Sequence, residues 1–232
     1  MLLAYEAKLL NMIDEIGNCP NIRVLGQEQG PLGEFLNNAD AAFDLLRQLN
    51  GITLDPSLKR SFHRYNGLGL HWRGSGEYGS LGGEFYLVQL LDAIVGGAPA
   101  WLQQDGWSED ELALHSEFRV FDSQFSGGVG TFSALRLQDG VQDPEVWYFN
   151  VTYGSIKLDI GYSDYMDFLL LTRGVYYWQY LFAEVPPEHY NFEAIGLELR
   201  KAINFLEENF PENDYSELTV RLDDRLSRWE SG

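Results

Sequence analysis

Cysteine is nearly missing from this chain. Cys19 stands alone, which excludes an internal disulfide and leaves nothing that points to an oxidising compartment. Cations are scarce as well. Sixteen Lys and Arg face 35 Asp and Glu, a net charge of −19. A surface of that sign repels phosphate backbones, whose binding needs cationic neutralisation, so no nucleic-acid partner is expected. No apolar run approaches the ~20 residues that cross a bilayer, so no membrane partner is expected either.

Catalytic signatures are equally thin. His63, His71, His115 and His189 are scattered, with no H-E-x-x-H spacing. Cys19 has no neighbour that would depress its pKa, and there is no G-x-S-x-G elbow. The segment Gly74-Ser75-Gly76-Glu77-Tyr78-Gly79 spells G-x-G-x-x-G, but Glu84 to Val88 follows it as a strand. A dinucleotide loop must instead open a helix, and no kinase V-A-I-K, H-R-D or D-F-G lies downstream. A hairpin or partner-facing loop fits better than a phosphate cradle. No cofactor or metal is expected. The remaining enzymatic reading is glycoside hydrolysis by Asp143, Glu145 or Asp159 beside Trp72, Trp147 or Trp178, but sequence gives no carboxylate spacing.

What is present is ample core material, 45% hydrophobic and 14% aromatic. Its densest stretch is 156–182. Ile156, Leu158 and Ile160 alternate as a strand; Tyr165, Phe168, Leu169 and Thr172 follow at helical spacing. Ser163 is placed to cap that helix, Asp164 and Asp167 to favour its positive end, and Arg173-Gly174 to close it. Tyr176, Tyr177, Trp178, Tyr180 and Phe182 then supply large rings for the centre of the core.

Elsewhere the apolar spacing predicts a helix from Leu2 to Ile16, amphipathic and without the basic start of an export signal. A cytoplasmic location is therefore expected. A second helix is expected from Leu32 to Leu49, ended by Asn50-Gly51, and a third from Asp55-Pro56 to Tyr65, ended by Asn66-Gly67. The first two pack on the body or serve as an arm for a partner. Lys59, Arg60 and Arg64 form a basic patch on the third, read as a solvated face. Short helices follow at 89–95 and after the Ser108/Glu111 capping box. Strands are predicted at 68–72, 84–88, 118–121, 131–137, 146–149 and 156–160. Their short spacing favours antiparallel pairing. Two helices, on Ile195 to Phe210 and on Leu218 to Trp229, finish the chain.

The expected fold is α+β, a curved and mainly antiparallel sheet flanked by helices. Residues 1–51 and 186–232 form helical extensions of a core at 52–185, within one compact domain.

That core resembles the SUKH superfamily, which includes yeast regulators of cell-wall synthesis. The resemblance covers roughly residues 52 to 182. Its first block is Pro56, Leu58, Phe62, Tyr65, Asn66-Gly67, Leu70 and Trp72; its second is Gly83 to Leu91. The third is Phe118-Arg119-Val120-Phe121-Asp122, and the fourth runs from Pro144-Glu145-Val146-Trp147 through Trp178-Gln179-Tyr180-Leu181-Phe182. The resemblance implies a non-catalytic binding protein. Many bacterial members are immunity proteins that neutralise toxins, often nucleases, and eukaryotic relatives are regulatory interaction proteins.

The charge points the same way, because an acidic surface attracts and steers a basic partner. Solubility alone is the plainer use of it. The partner expected is a basic protein, a toxin domain, with the oligomeric state left open. Candidate contacts are the acids of loops and strand edges: Glu77, Glu84, Asp122, Asp139, Asp143 and Glu145.

Overall fold

The computed structural model describes residues 2–33, 38–103, 106–127, 130–184 and 192–230. Seven strands run in the order β1 (Ile22–Gln29), β2 (Asn66–Gly74), β3 (Gly82–Val88), β4 (Phe118–Ser123), β5 (Thr131–Arg136), β6 (Glu145–Asn150) and β7 (Gly154–Lys157). Each pairs antiparallel with the next, giving one curved, unclosed meander. Around it lie α1 (Ala4–Asn18), α2 (Ala39–Asn50), α3 (Leu90–Gly96), α4 (Glu109–Ser116), α5 (Tyr162–Thr172), α6 (Phe192–Asn209) and α7 (Ser216–Glu230). The fold is α+β, as expected.

Period-two alternation separates the two faces of the sheet. Phe132 and Ala134 of β5, with Phe118 and Phe149, join Leu102 in a small core. Leu135, Val146 and Tyr148 turn the other way, into the main core shared with α1, α5, α6 and α7. Tyr5, Leu9, Met12, Ile13 and Ile16 bring α1 into that core, so the first helix packs on the body and is not an arm. Trp72 and Trp178 sit at its centre, fully buried. No helix among the described residues is long and apolar enough to cross a membrane.

Several boundaries differ from the sequence reading. The first 51 residues are not purely helical, because β1 forms the sheet's outer edge against β2. Its burial alternates across the register shift at Val24/Gly26, but after Leu25 the strand carries only Gly26, Gln27, Glu28 and Gln29, so no apolar alternation marks it in the sequence. Helix α2 begins at Ala39 and not at Leu32: Asn38 caps it through Ala41 N–H at 2.9 Å, while Leu32 bridges to Tyr65. Phe35 and Leu36 lie outside the described residues. The third helix is only a 3₁₀ turn, Pro56–Ser61, capped as expected by Asp55, and Asn66-Gly67 opens β2.

Other corrections concern single side chains. Gly161, not Ser163, occupies the N-cap of α5, and Ser163 donates to Ser57 O at 3.0 Å. Arg173 itself takes the left-handed cap, at φ 54°, with its side chain buried against Glu15 and Glu212. Strand β7 is Gly154–Lys157; beyond it Leu158 N–H still donates to Val146 O at 2.9 Å, while Leu158 also bridges to Ala183 and Asp159 N–H donates to Phe182 O. Arg64 is no part of a solvated patch, because it clamps the fully buried Glu6 carboxylate at 2.8 Å. The side chain of Trp229, Pro186-Pro187 and His189 lie outside the described set.

Candidate functional site: a carboxylate cleft at a fork in the sheet

The site arises where one edge of β3 has two neighbours. Strand β4 reaches β3 only at Tyr86↔Ser123 and Leu87↔Asp122. Further along the same edge, the segment after α5 takes over. Gly174 O accepts from Glu84 N–H at 2.9 Å, Tyr176 N–H donates to Gly82 O at 3.0 Å, and Gly83 bridges to Val175. β4 and the 174–176 segment therefore diverge from β3 like the arms of a fork, with Glu84 near the crotch.

Local chemistry explains both arms. A register shift between Val120 and Asp122 bulges β4, and bulges re-aim the side chains beside them. Asp122 turns inward and its Oδ1 accepts from Tyr86 N–H at 3.1 Å, a backbone donor that β4 leaves free. On the other arm, a side chain at Gly83 would place Cβ 2.6 Å from Gly174 O, so this close approach needs glycine. Tyr177 ends the arm at φ 72°, a left-handed backbone that bulky residues rarely adopt.

Between the arms lies a cleft of about 400 Å³. Glu84 and Asp122 bring carboxylates to it. Gln124, Asn150 and Gln179 bring amides, and Tyr148, Tyr176 and Tyr177 bring rings. No Lys or Arg lines it. Tyr165 OH lies 2.6 Å from Asp122 Oδ2 and 2.8 Å from Ser133 Oγ, and Gln179 Nε2 donates to the same hydroxyl at 3.4 Å. Burial pushes Asp122 up to about 6, with Glu84 adding repulsion, against the hydrogen bonds from Tyr165, Tyr86 and Ser123. Burial and the Asp122 charge raise Tyr165 well above the ordinary tyrosine range, so its proton stays on oxygen. Glu84 is more open and accepts from Ser126 N–H and Oγ at 3.2 Å.

Of the six acids named as candidate contacts, Glu84 and Asp122 line one cleft. Asp122 is also not a surface acid, being 5% exposed. Glu77 is exposed on the β2–β3 hairpin, and Asp139 and Asp143 are exposed in the β5–β6 turn. Glu145 is half-buried and already neutralised, with Lys157 at 3.1 Å and Arg136 at 3.3 Å. Burial would raise its pKa, but hydrogen bonds from Trp147 and Lys157 prevail and hold it below the carboxylate norm. Asp159 is likewise held by Arg221 and Arg225, and Trp72 and Trp178 are core residues, so the grouping considered for glycoside hydrolysis is not assembled.

Sequence reasoning missed the amides of the cleft and assigned Tyr176 and Tyr177 to the core. Tyr177 is 40% exposed, and both rings wall the cleft. Among the described residues no group of three His, Cys, Asp or Glu is arranged to hold a metal ion.

Neither a family model, nor a curated protein, nor a solved structure matches this chain. The site is therefore interpreted from its own chemistry.

Proposed function

We propose that the protein is a non-catalytic binding module of the SUKH type, an immunity protein that captures a basic toxin domain, such as a nuclease, through its acidic surface. One observation carries this reading: the distribution of charge. Among the described residues, eleven Lys and Arg lie within ion-pair distance of a carboxylate of this chain. The excess carboxylates have few internal cations left to meet, and a field of that sign steers a cationic partner.

The test is co-expression with the product of the gene immediately upstream. Growth protection together with a stable one-to-one complex supports immunity. Several weak partners and no protection support the alternative, a regulatory scaffold of the eukaryotic kind.

A second reading, carboxylate-dependent hydrolysis of glycosides, draws on Asp122 and Glu84 sharing a cleft, one of them with raised proton affinity. Against it, both Asp122 oxygens are already engaged, by Tyr86 N–H and Tyr165 OH. Assay on a panel of aryl glycosides separates the two. The binding reading predicts no turnover, and turnover abolished in Glu84→Gln would replace it.

A further inference from the structure

We infer that the cleft between β4 and the 174–177 segment is a socket for one arginine side chain of a partner protein, its guanidinium meeting the Glu84 and Asp122 carboxylates. This deepens the binding-module reading and rests on it for the class of partner, but not for the chemistry of the cleft.

The lining restricts the ligand. Two carboxylates line it, no Lys or Arg does, and the cation beside it, Arg73, meets the Tyr176 hydroxyl, so the sign of the lining favours a cation over a phosphate, a sulfate or a carboxylate. Asp122 is buried without an ion pair; Tyr86 N–H and Tyr165 OH each occupy one lone pair of its two oxygens, and the remaining acceptor capacity can take an arriving cation's N–H groups. A volume of about 400 Å³ is near the lower end of ligand sites, roughly 300–1,000 Å³, and suits one side chain better than a secondary-structure element.

Arginine fits better than lysine. A guanidinium offers five N–H donors in a planar fork and is more weakly hydrated than an ammonium. Here several acceptor-bearing residues line the cleft: Glu84, which also holds Ser126, Asp122, Gln124, and Asn150, whose Oδ1 also accepts from Thr152 N–H at 2.9 Å. A compact ammonium with three donors serves so wide a set poorly. Tyr176 and Tyr177 give ring surfaces on which a guanidinium can stack. Their wall is fixed to β3 by the Gly174 and Gly82 hydrogen bonds, so the socket stands ready before a ligand arrives.

The probes are Nα-acetyl-arginine amide, its lysine counterpart, and the neutral isostere Nα-acetyl-citrulline amide, each titrated into the full chain and followed by backbone amide NMR. The arginine probe should give saturable shifts at 122–124, 150–152 and 174–179. The lysine probe should bind more weakly and the citrulline probe not at all. Glu84→Gln, at a half-exposed position, should weaken arginine binding about tenfold or more, the loss of one charge-assisted contact. Equal shifts from citrulline, shifts elsewhere only, no saturable shifts, or unchanged binding by Glu84→Gln would each overturn the inference. The two readings fail separately. A protein that seats the arginine probe but meets no toxin domain keeps the socket and loses the immunity role. One that binds a basic domain equally well after Glu84→Gln keeps the role and loses the socket.

Discussion

Three buried polar residues set much of this molecule's response to mutation and pH. The Glu6 carboxylate accepts from Leu3 N–H at 2.7 Å, from Arg64 N–H at 2.9 Å and from the Arg64 guanidinium at 2.8 Å. Burial alone would raise its pKa, but those hydrogen bonds prevail and hold it below the usual carboxylate range. Arg64→Met leaves that charge buried and unpaired, so we expect a loss of about 3–5 kcal/mol in urea unfolding. A loss under about 1 kcal/mol would mean that the pair behaves like a surface bridge.

Asp122 and His63 oppose each other in acid. Asp122 binds its proton at about 6 in the fold, against 3.8 as an ordinary carboxyl. Its contribution to stability is therefore full below about 3.8 and is lost as pH rises through about 6. His63 is 1% exposed, with no hydrogen-bond partner on either ring nitrogen, and burial lowers it from 6.5 to about 4. Its contribution is present above 6.5 and is lost as pH falls through about 4. Each effect is on the order of 3 kcal/mol when complete, so the two largely offset between about 4 and 6. His63→Leu should gain stability relative to the parent on going from pH 7 to about pH 4.5. Asp122→Asn should do the reverse. Urea titrations at the two pH values check this, and parallel profiles for all three proteins would refute it.

At the scale of elements, the fork in the sheet depends on backbone contact between β3 and the arm after α5. Gly83→Ala forces a methyl to within 2.6 Å of Gly174 O. Neither backbone can yield without opening the Glu84–Gly174 hydrogen bond. We expect about 1–3 kcal/mol of destabilisation and faster hydrogen exchange at Glu84 and Tyr176. Unchanged exchange there would show that the arm is held by other contacts.

How much of this was legible in the sequence follows from the range of the interactions involved. Periodicity revealed β2 through β7 and six of the helices, because each carries its own apolar alternation or stripe. Strand β1 escaped because Gly26 to Gln29 bring no apolar side chain, and its place in the sheet comes from pairing with β2. Glu6 reads as the polar face of α1 until Arg64 arrives from 58 residues away. Asp122 reads as an edge acid until α5 brings Tyr165 against it from 43 residues away. Tyr176 and Tyr177 look like core rings, yet both line the cleft, in a segment with left-handed backbone at Arg173 and Tyr177. Residue type suggested the acids, but long-range pairing decided which of them share a site.

The molecule as a whole is an acidic body in which many of the cations meet carboxylates of the same chain. Lys157 and Arg136 converge on Glu145, Arg221 and Arg225 on Asp159, and Arg173 on Glu15 and Glu212. These pairs fix helices and strand ends to one another, whereas Glu77, Asp139 and Asp143 stay exposed and Glu84 faces the open cleft. Charges left in this way act at a distance, and salt screens them over ~8 Å at physiological ionic strength.

The most direct test of the proposed immunity role is the stopped-flow association rate with whichever basic domain co-expression identifies as the partner, measured at low and at physiological salt. Steering by uncompensated carboxylates predicts a rate that falls by roughly 10-fold or more as salt is raised, while dissociation changes little. An association rate indifferent to salt would contradict the account.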